Sequence, residues 1–493
     1  MSELVLGIDL GTGGARAMVV ASNGRLVAKV AADRDAAVKS AFQGHEQIPH
    51  IWWLNVLSCL AQLTAELPRQ GLALRDVRGL AVDGTSGTLV AVNALGEPVR
   101  HALMYNDPRA TAEADALNEL AGAWCRAAGY RIESSFAIAK ALWMQRHEEA
   151  AFAETARLIH QSDYIVGQLT GNFAVTDYSN ALKTGYDLAR NAWPDWMARL
   201  PGVAERLPAV VAPGRILGTV SAKAAAVTGL PVGLAVVAGA TDGVAAALAA
   251  GLRNVGDYNA TLGTTLVFKG MSTRPTNDPS GLIYAHKLPG ERWLPGAASN
   301  CGSAWIRAWF PGRPVEELDR AARAYLPSRL VAYPLVGRGE RFPFRSATAE
   351  RFCDPRPASD DEAFAAYLTG TALVERAAYE ILDRVCGTSR GDVYSTGGGS
   401  KSDIWMQCRA DITRRVMHRV SVPESAFGSA ILAAAGTLFS SLDEATSAMA
   451  HSARTFEPAP QAAADSDDLY LRFRGQLQQR GYLAERGKDP GSA

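Results

Sequence analysis

One short motif occurs twice in this chain, and that repetition constrains its fold more than any other feature. Ile8-Asp-Leu-Gly-Thr12 sits between the apolar runs Leu4 to Ile8 and Ala17 to Val20. About 250 residues later Ala260-Thr-Leu-Gly-Thr-Thr265 again sits between apolar runs. Each reads as two strands joined by a tight Gly-Thr turn. A repeat placed near the head of each half points to two related halves, and 493 residues suit two or three domains.

Further strands at Gly79 to Val82 and Thr88 to Asn93 flank a second Gly-rich turn, Asp83-Gly-Thr-Ser-Gly87, and Thr111 to Leu120 and Phe136 to Ala150 have helical spacing. Alternation of this kind predicts an α/β class. Pro201, Pro208, Pro213 and Pro231 punctuate the stretch before a Gly/Ala-rich segment. The expected organisation is therefore an N-terminal domain over 1–238 and a C-terminal domain over 239–470. From Leu471 a surface helix and a disordered tail, 471–493, are expected, with no chemistry.

Composition narrows the function. Lys plus Arg and Asp plus Glu are 50 each, which removes the electrostatic footprint of a nucleic-acid partner. The six cysteines form no C-x-x-C pair and the eight histidines no His-x-x-x-His, so reduced thiols are expected and a zinc site is not. Met1 to Leu10 lacks the basic region of a secretory signal, and the most apolar stretch, Leu230 to Leu252, is broken by Asp242. A cytoplasmic protein with no membrane partner is expected.

Three common motifs fail. Arg16 stands where the Rossmann fingerprint needs its third Gly, Ser395 and Ser400 stand where Walker A needs glycines, and Ser86 is followed directly by Gly87, which breaks Gly-x-Ser-x-Gly. What remains are four polar, Gly-rich segments. The amides of Gly11, Thr12 and Gly13 on a tight turn suit a phosphate, and Asp9 suits a hydrated Mg²⁺; a hairpin with an Asx-type bond is the other reading. Gly263, Thr264 and Thr265 pose the same choice. Asp242 is an isolated carboxylate where a strand passes into a helix, so it is a helix cap, a general base, or both. Gly397-Gly-Gly-Ser-Lys-Ser-Asp403 precedes a helix, so either a flat ligand approaches its backbone there or it is a plain turn.

Taken in order, these segments resemble the FGGY carbohydrate kinases, members of the actin, Hsp70 and hexokinase-like ATPase superfamily, over about Val5 to Phe439. Asp9-Leu-Gly-Thr12 is similar to the family's first phosphate motif, Gly239-Ala-Thr-Asp242-Gly to its catalytic segment, Thr261-Leu-Gly-Thr-Thr265 to its second phosphate motif and Gly397-Gly-Gly-Ser400 to its adenosine motif. Gly339-Glu-Arg-Phe-Pro343 and Trp405-Met-Gln-Cys-Arg-Ala-Asp411 match two supporting motifs. The resemblance implies two RNase H-like domains with an interdomain active-site cleft, and ATP, Mg²⁺ and a sugar as ligands. It implies Asp242 as the catalytic base, Asp9 and Asp242 near the metal, Gly11, Thr12, Gly13, Gly263, Thr264 and Thr265 at the phosphates, and Gly398, Gly399 and Asp403 near the adenosine. The chain is expected to act as a monomer or homodimer.

For the sugar, Tyr105-Asn-Asp107-Pro-Arg109 resembles the family's polyol segment, so Ser86 and Asp107 join Asp9, Thr12 and Asp242 as expected substrate contacts. Xylulose kinases carry Gln-Met-His-Gly where this chain has Gly84-Thr-Ser-Gly87. Together with Met104-Tyr-Asn-Asp107 and Gly296-Ala-Ala-Ser-Asn300, that departure resembles the D-ribulose kinases of the family, which implies transfer of the γ-phosphate to a terminal hydroxyl of D-ribulose. D-xylulose or another ketopentose or polyol is the alternative. A structural, actin-like ATPase is the competing class; it needs the phosphate turns but neither Asp242 nor Asp107.

Overall fold

The computed structural model describes residues 3–33, 45–276, 278 and 282–483. In chain order, its main strands are β1 (Leu4–Gly11), β2 (Gly14–Ala21), β3 (Leu26–Asp33), β4 (Val77–Gly84), β5 (Ile216–Thr219), β6 (Ala235–Val237), β7 (Tyr258–Leu262), β8 (Leu266–Gly270), β9 (Arg292–Ser299), β10 (Val393–Thr396), β11 (Met417–Val420) and β12 (Ser452–Phe456). The helices that carry or brace functional residues are α1 (Gln161–Thr170), α2 (Asp242–Ala249), α3 (Asp360–Cys386), α4 (Asp403–Thr413), α5 (Ser425–Thr437) and α6 (Ala463–Gln479).

The chain divides into two compact units. The first comprises Met1–Arg253, His286–Arg292 and Val422–His451; the second comprises Asn254–Ala285, Trp293–Ser421 and Ser452–Ala493. The structure thus draws the division at Arg253 rather than near residue 238. The physical reason is α2, which follows β6 without leaving its sheet: it packs on α5, β1 and β4 of the first unit.

In the first unit the strand order is β3-β2-β1-β4-β6-β5. The antiparallel run β3, β2, β1 is followed by the parallel neighbours β4 and β6, and an antiparallel edge strand, β5. Burial follows position. Central β1 is buried along nearly its whole length and reads as a continuous apolar run, whereas edge strand β3 alternates exposed Lys29 and Ala31 with buried Val30 and Ala32. At Gly239 an added Cβ would lie 1.9 Å from the Val82 carbonyl oxygen, so only glycine lets the chain leave β6 against β4.

In the second unit the corresponding order is β9-β8-β7-β10-β11-β12, with the same directions: three antiparallel strands, two parallel neighbours and an antiparallel edge. Over these six strands the two sheets differ in the chain order of the last two; the second sheet has a seventh strand, Tyr284–Leu288. The duplication expected from the repeated turn is therefore present in the architecture. Behind β10 lies a fully buried ion pair: Arg409 of α4 meets Glu375 of α3 through two bonds of 2.7 and 2.8 Å and donates to Ser395 Oγ at 2.6 Å.

The C-terminal helix departs from expectation. It begins at Ala463 and buries Leu469, Tyr470, Phe473 and Leu477, so it is part of the core rather than a surface appendage; the expected tail beyond residue 483 lies outside the described residues. All six cysteines are free, and only Cys353 is not fully buried. Among the described residues no helix is long and apolar enough to cross a membrane.

Candidate active site

The carboxyl ends of β1, β4 and β6 converge in the first unit, the position where ligands bind in open α/β sheets. Parallel pairing places Asp9 of β1 directly opposite Asp83 of β4, and a bridge from Gly84 to Thr241 brings the start of α2 beside them. Thr241, not Asp242, is the residue preceding the first helical position, and Asp242 is the first residue of α2. The cap reading of Asp242 therefore falls. Its carboxylate accepts from its own neighbour, Gly243 N, at 2.6 Å, and remains only partly buried.

Asp83 is fully buried. Burial pushes its carboxyl well above the usual range, and the neighbouring Asp9 and Asp242 charges push it further, against one stabilising bond from Ser429 Oγ at 2.7 Å. Its other oxygen has no ordinary donor, which is the arrangement of a carboxylic acid that keeps its proton and offers it to Asp9. Asp9 in turn takes Arg16 Nη1 at 3.1 Å. The Thr12 tip is exposed, and its carbonyl is braced by Gln47, itself held by Trp52 Nε1 at 2.7 Å.

Past β4 the chain turns through Thr85, Ser86 and Gly87. Gln161 of α1 accepts from Thr85 N at 3.0 Å and Thr85 Oγ1 at 2.7 Å, while its own amide nitrogen and Ser86 Oγ are buried without partners. Buried polar atoms in native proteins find partners, so these two mark a place that a polar ligand completes. Lys140, fully buried, donates to Gly87 O at 3.0 Å and Ser135 O at 2.9 Å. Burial lowers its pKa to about 7, aided by Lys183 and Arg109 and opposed by Asp107.

Asp107, an expected substrate contact, is buried and already paired. Both its oxygens accept from Arg109 Nε, at 3.0 and 2.8 Å, and Arg109 continues to Glu46 at 2.7 Å and lies over the Trp143 ring. Its contribution is to fix that network next to Lys140.

The second unit holds the other expected residues. The turn Gly263, Thr264, Thr265 joins β7 to β8, is closed by Gly263 N to Thr265 O at 3.0 Å, and has its Gly263 carbonyl held by both N and Oγ of Ser303 at 2.7 Å. Gly397, at φ +85°, lies so close to Leu262 that a Cβ would sit 2.5 Å from its carbonyl oxygen. That contact presses the glycine loop against the phosphate-type turn. Thr264, Gly398, Gly399 and Ser402 line one cavity of about 600 Å³ together with apolar Phe310 and Phe364, a size that suits a nucleotide. Asp403 is not among the residues that line this cavity; its carboxylate is taken by Arg419 at 2.6 Å and by Arg454.

The structure thus brings Asp9 and Asp242 to the same strand ends, sets Ser86 along them, and gathers Thr264, Gly398 and Gly399 around one cavity, with Gly263 and Thr265 flanking Thr264 in its turn. Asp83, Gln161 and Lys140 were missed by sequence reasoning. Asp83 alone left a signal, a lone acid closing an apolar strand in step with Asp9. The two supporting motifs turn out to be braces. Glu340 accepts from Ser299, Tyr333 and Asn300 at 2.7 to 2.8 Å, and Gln407 ties Asp411 to Glu457 O.

Comparison with known proteins agrees with this layout. The family model for the N-terminal domain of the FGGY family of carbohydrate kinases matches residues 4–249, and that for its C-terminal domain matches residues 258–437. The chain is 27% identical to a xylulose kinase of Bacillus subtilis, covering 93% of each, and 37% identical to one of Streptomyces coelicolor over 60% of each. Among solved structures it is similar to the xylulose kinase of Rhodospirillum rubrum, at a TM-score of 0.82, 27% identity and coverage of 97% of this chain and 99% of that one. The fold is shared with the glycerol kinase of Plasmodium falciparum, at a TM-score of 0.81, 15% identity and coverage of 98% of this chain and 99% of that one. With both halves matched and the expected turns in place, the chain belongs to the FGGY family of carbohydrate kinases and is a sugar kinase.

Proposed function

We propose that this kinase transfers the γ-phosphate of ATP to a terminal hydroxyl of a ketopentose, D-ribulose ahead of D-xylulose, with Asp242 as general base. The observation that carries the proposal is the convergence of Asp9, Asp83 and Asp242 at the strand ends of one sheet. Burial and its neighbours push the Asp83 carboxyl toward keeping its proton, and Asp242 is the partly exposed carboxylate that can take a proton from a sugar hydroxyl as its oxygen attacks in line. Asp9 and Asp242 are the residues that would hold Mg²⁺. A hard cation there would take one or two carboxylates and otherwise water and phosphate oxygens. When bound, it would supply charge neutralisation on the phosphates.

D-ribulose is favoured by the Gly84-Thr-Ser-Gly87 turn, where Ser86 Oγ and the Gln161 amide await a partner in place of the Gln-Met-His-Gly of xylulose kinases. D-xylulose is the second reading, favoured by the names of the relatives. Mg-ATP-dependent ADP release across D-ribulose, D-xylulose, L-ribulose, L-xylulose, ribitol, xylitol and glycerol decides between them. One sugar should be strongly preferred, and Asp242→Asn should lose about 10² to 10⁴ in kcat while still folding and binding ATP. Sugar-independent hydrolysis unchanged in Asp242→Asn would overturn the kinase mechanism.

A further inference from the structure

We propose that Asp319 is the residue by which the second unit selects adenine: its carboxylate accepts a hydrogen bond from the exocyclic 6-amino group of the base. This rests on the reading of the 600 Å³ cavity as the ATP site. Asp319 lies on the helix Val315–Ala322 and contributes to the wall of that cavity alongside Ser402. Its Oδ1 is buried and has no hydrogen-bond partner. Burial raises its pKa, the Glu316 and Asp403 charges raise it further, and only the Ser402 hydroxyl pulls it down.

A carboxylate desolvated at a cavity wall with one oxygen unsatisfied is incomplete. What it lacks is a donor. Rotation about χ2, which is soft for aspartate, turns the unsatisfied oxygen toward the cavity. The walls formed by Ile306, Phe310, Pro311 and Phe364 suit a flat apolar ring, whereas Thr264 marks the end where the phosphates belong. Adenine presents an amine at its 6-position; hypoxanthine and guanine present a carbonyl oxygen, which would oppose one acceptor to another. A site built around a hydrogen bond rejects a ligand that cannot make it.

The test compares ATP with ITP and 2′-deoxy-ATP for the wild type, Asp319→Ala and Asp319→Asn. Two readouts are used: kcat/KM at saturating sugar, and the nucleotide-induced shift in melting temperature with no sugar present. The wild type should prefer ATP over ITP by about 10- to 100-fold, the worth of one unsatisfied buried polar group. In Asp319→Ala that ratio should fall to within about threefold, and in Asp319→Asn, whose amide can donate to a carbonyl, it should move toward ITP. An ATP/ITP ratio unchanged in a folded Asp319→Ala overturns the proposal. So does a loss confined to discrimination against 2′-deoxy-ATP, which would assign Asp319 to the ribose. If no nucleotide shifts the melting temperature of the wild type, the ATP-site reading of the cavity fails, and the role of Asp319 fails with it.

Discussion

The two sheets place different chemistry at the same point. In the first, the last paired residues of the central strand and its parallel neighbour include Asp9 opposite Asp83; in the second, the matching pair is Thr261 opposite Thr396, whose hydroxyls bond at 2.9 Å. One scaffold thus carries an acid pair in one copy and a neutral hydroxyl pair in the other. The difference follows from what each turn would meet. In the proposed function an acid pair beside the first turn would hold a cation and tune a base, whereas the hydroxyl pair adds no charge beside the second. Each unit also hides a buried charge: the second behind its sheet, as Arg409 with Glu375, and the first beside the turn through Thr85, Ser86 and Gly87, as Lys140.

The largest expected effect concerns the charge behind the second sheet. Arg409→Met removes one partner of a fully buried pair and leaves Glu375 uncompensated, so the second unit should lose about 3 to 5 kcal/mol. Urea unfolding should report this, and the double variant Arg409→Met with Glu375→Leu should recover much of it. Next comes a direct attack on the comparison. Thr261→Asp installs in the second sheet the acid of the first and breaks the bond to Thr396; the apparent affinity for ATP should fall by about 10- to 100-fold, or roughly 1.4 to 2.8 kcal/mol. The sugar KM should stay put. Equal losses for both substrates would show that the second turn does not act on ATP alone.

A smaller effect is expected at Lys140. Lys140→Met leaves the Gly87 and Ser135 carbonyls without their donor and should raise the sugar KM by about tenfold, or 1.4 kcal/mol, with the ATP KM unchanged. Its pH signature separates positioning from simple destabilisation. The buried amine loses its charge near pH 7 when folded but only near 10.4 when unfolded, so below pH 7 the full cost of burying the charge is present, and stability from this group rises between those values. The wild-type sugar KM should therefore show an inflection near pH 7 that Lys140→Met lacks. A parallel pair of profiles would refute the role.

Much of this was legible in the residues. The repeated turn announced two related sheets because a tight Gly-Thr hairpin needs the same small residues wherever it occurs. Asp242 stood out because a lone acid in a small, apolar segment is rare. What sequence could not show was pairing. The match of Asp9 with Asp83 depends on a parallel register set by strands more than 60 positions apart, and Lys140 looked like any helical lysine until its helix buried it. The ion pairs of Asp107 and Asp403 were also invisible, because local sequence does not reveal Arg109's reach to Glu46 or the approach of Arg419 and Arg454 to Asp403. The unit boundary was misplaced for a similar reason: the packing of α2 on α5 joins residues far apart in the chain.

The smallest effect tests the acid pair itself. Asp83→Asn replaces a protonated acid with a neutral amide that can still accept from Ser429 and donate to Asp9, so the geometry should survive and kcat should change little. Stability against pH should change. A carboxyl whose folded pKa is raised holds its proton more tightly folded than unfolded, so the wild type loses stability as pH climbs from about 3.9 through the raised value. Asparagine has no proton to lose. Measured by urea unfolding in magnesium-free buffer, the variant should gain on the wild type as pH climbs above about 3.9 toward the raised value. If the two curves run parallel, Asp83 is ionised in the folded state, and the contrast between an acid pair sharing a proton and a pair of hydroxyls sharing one collapses to a difference in charge alone.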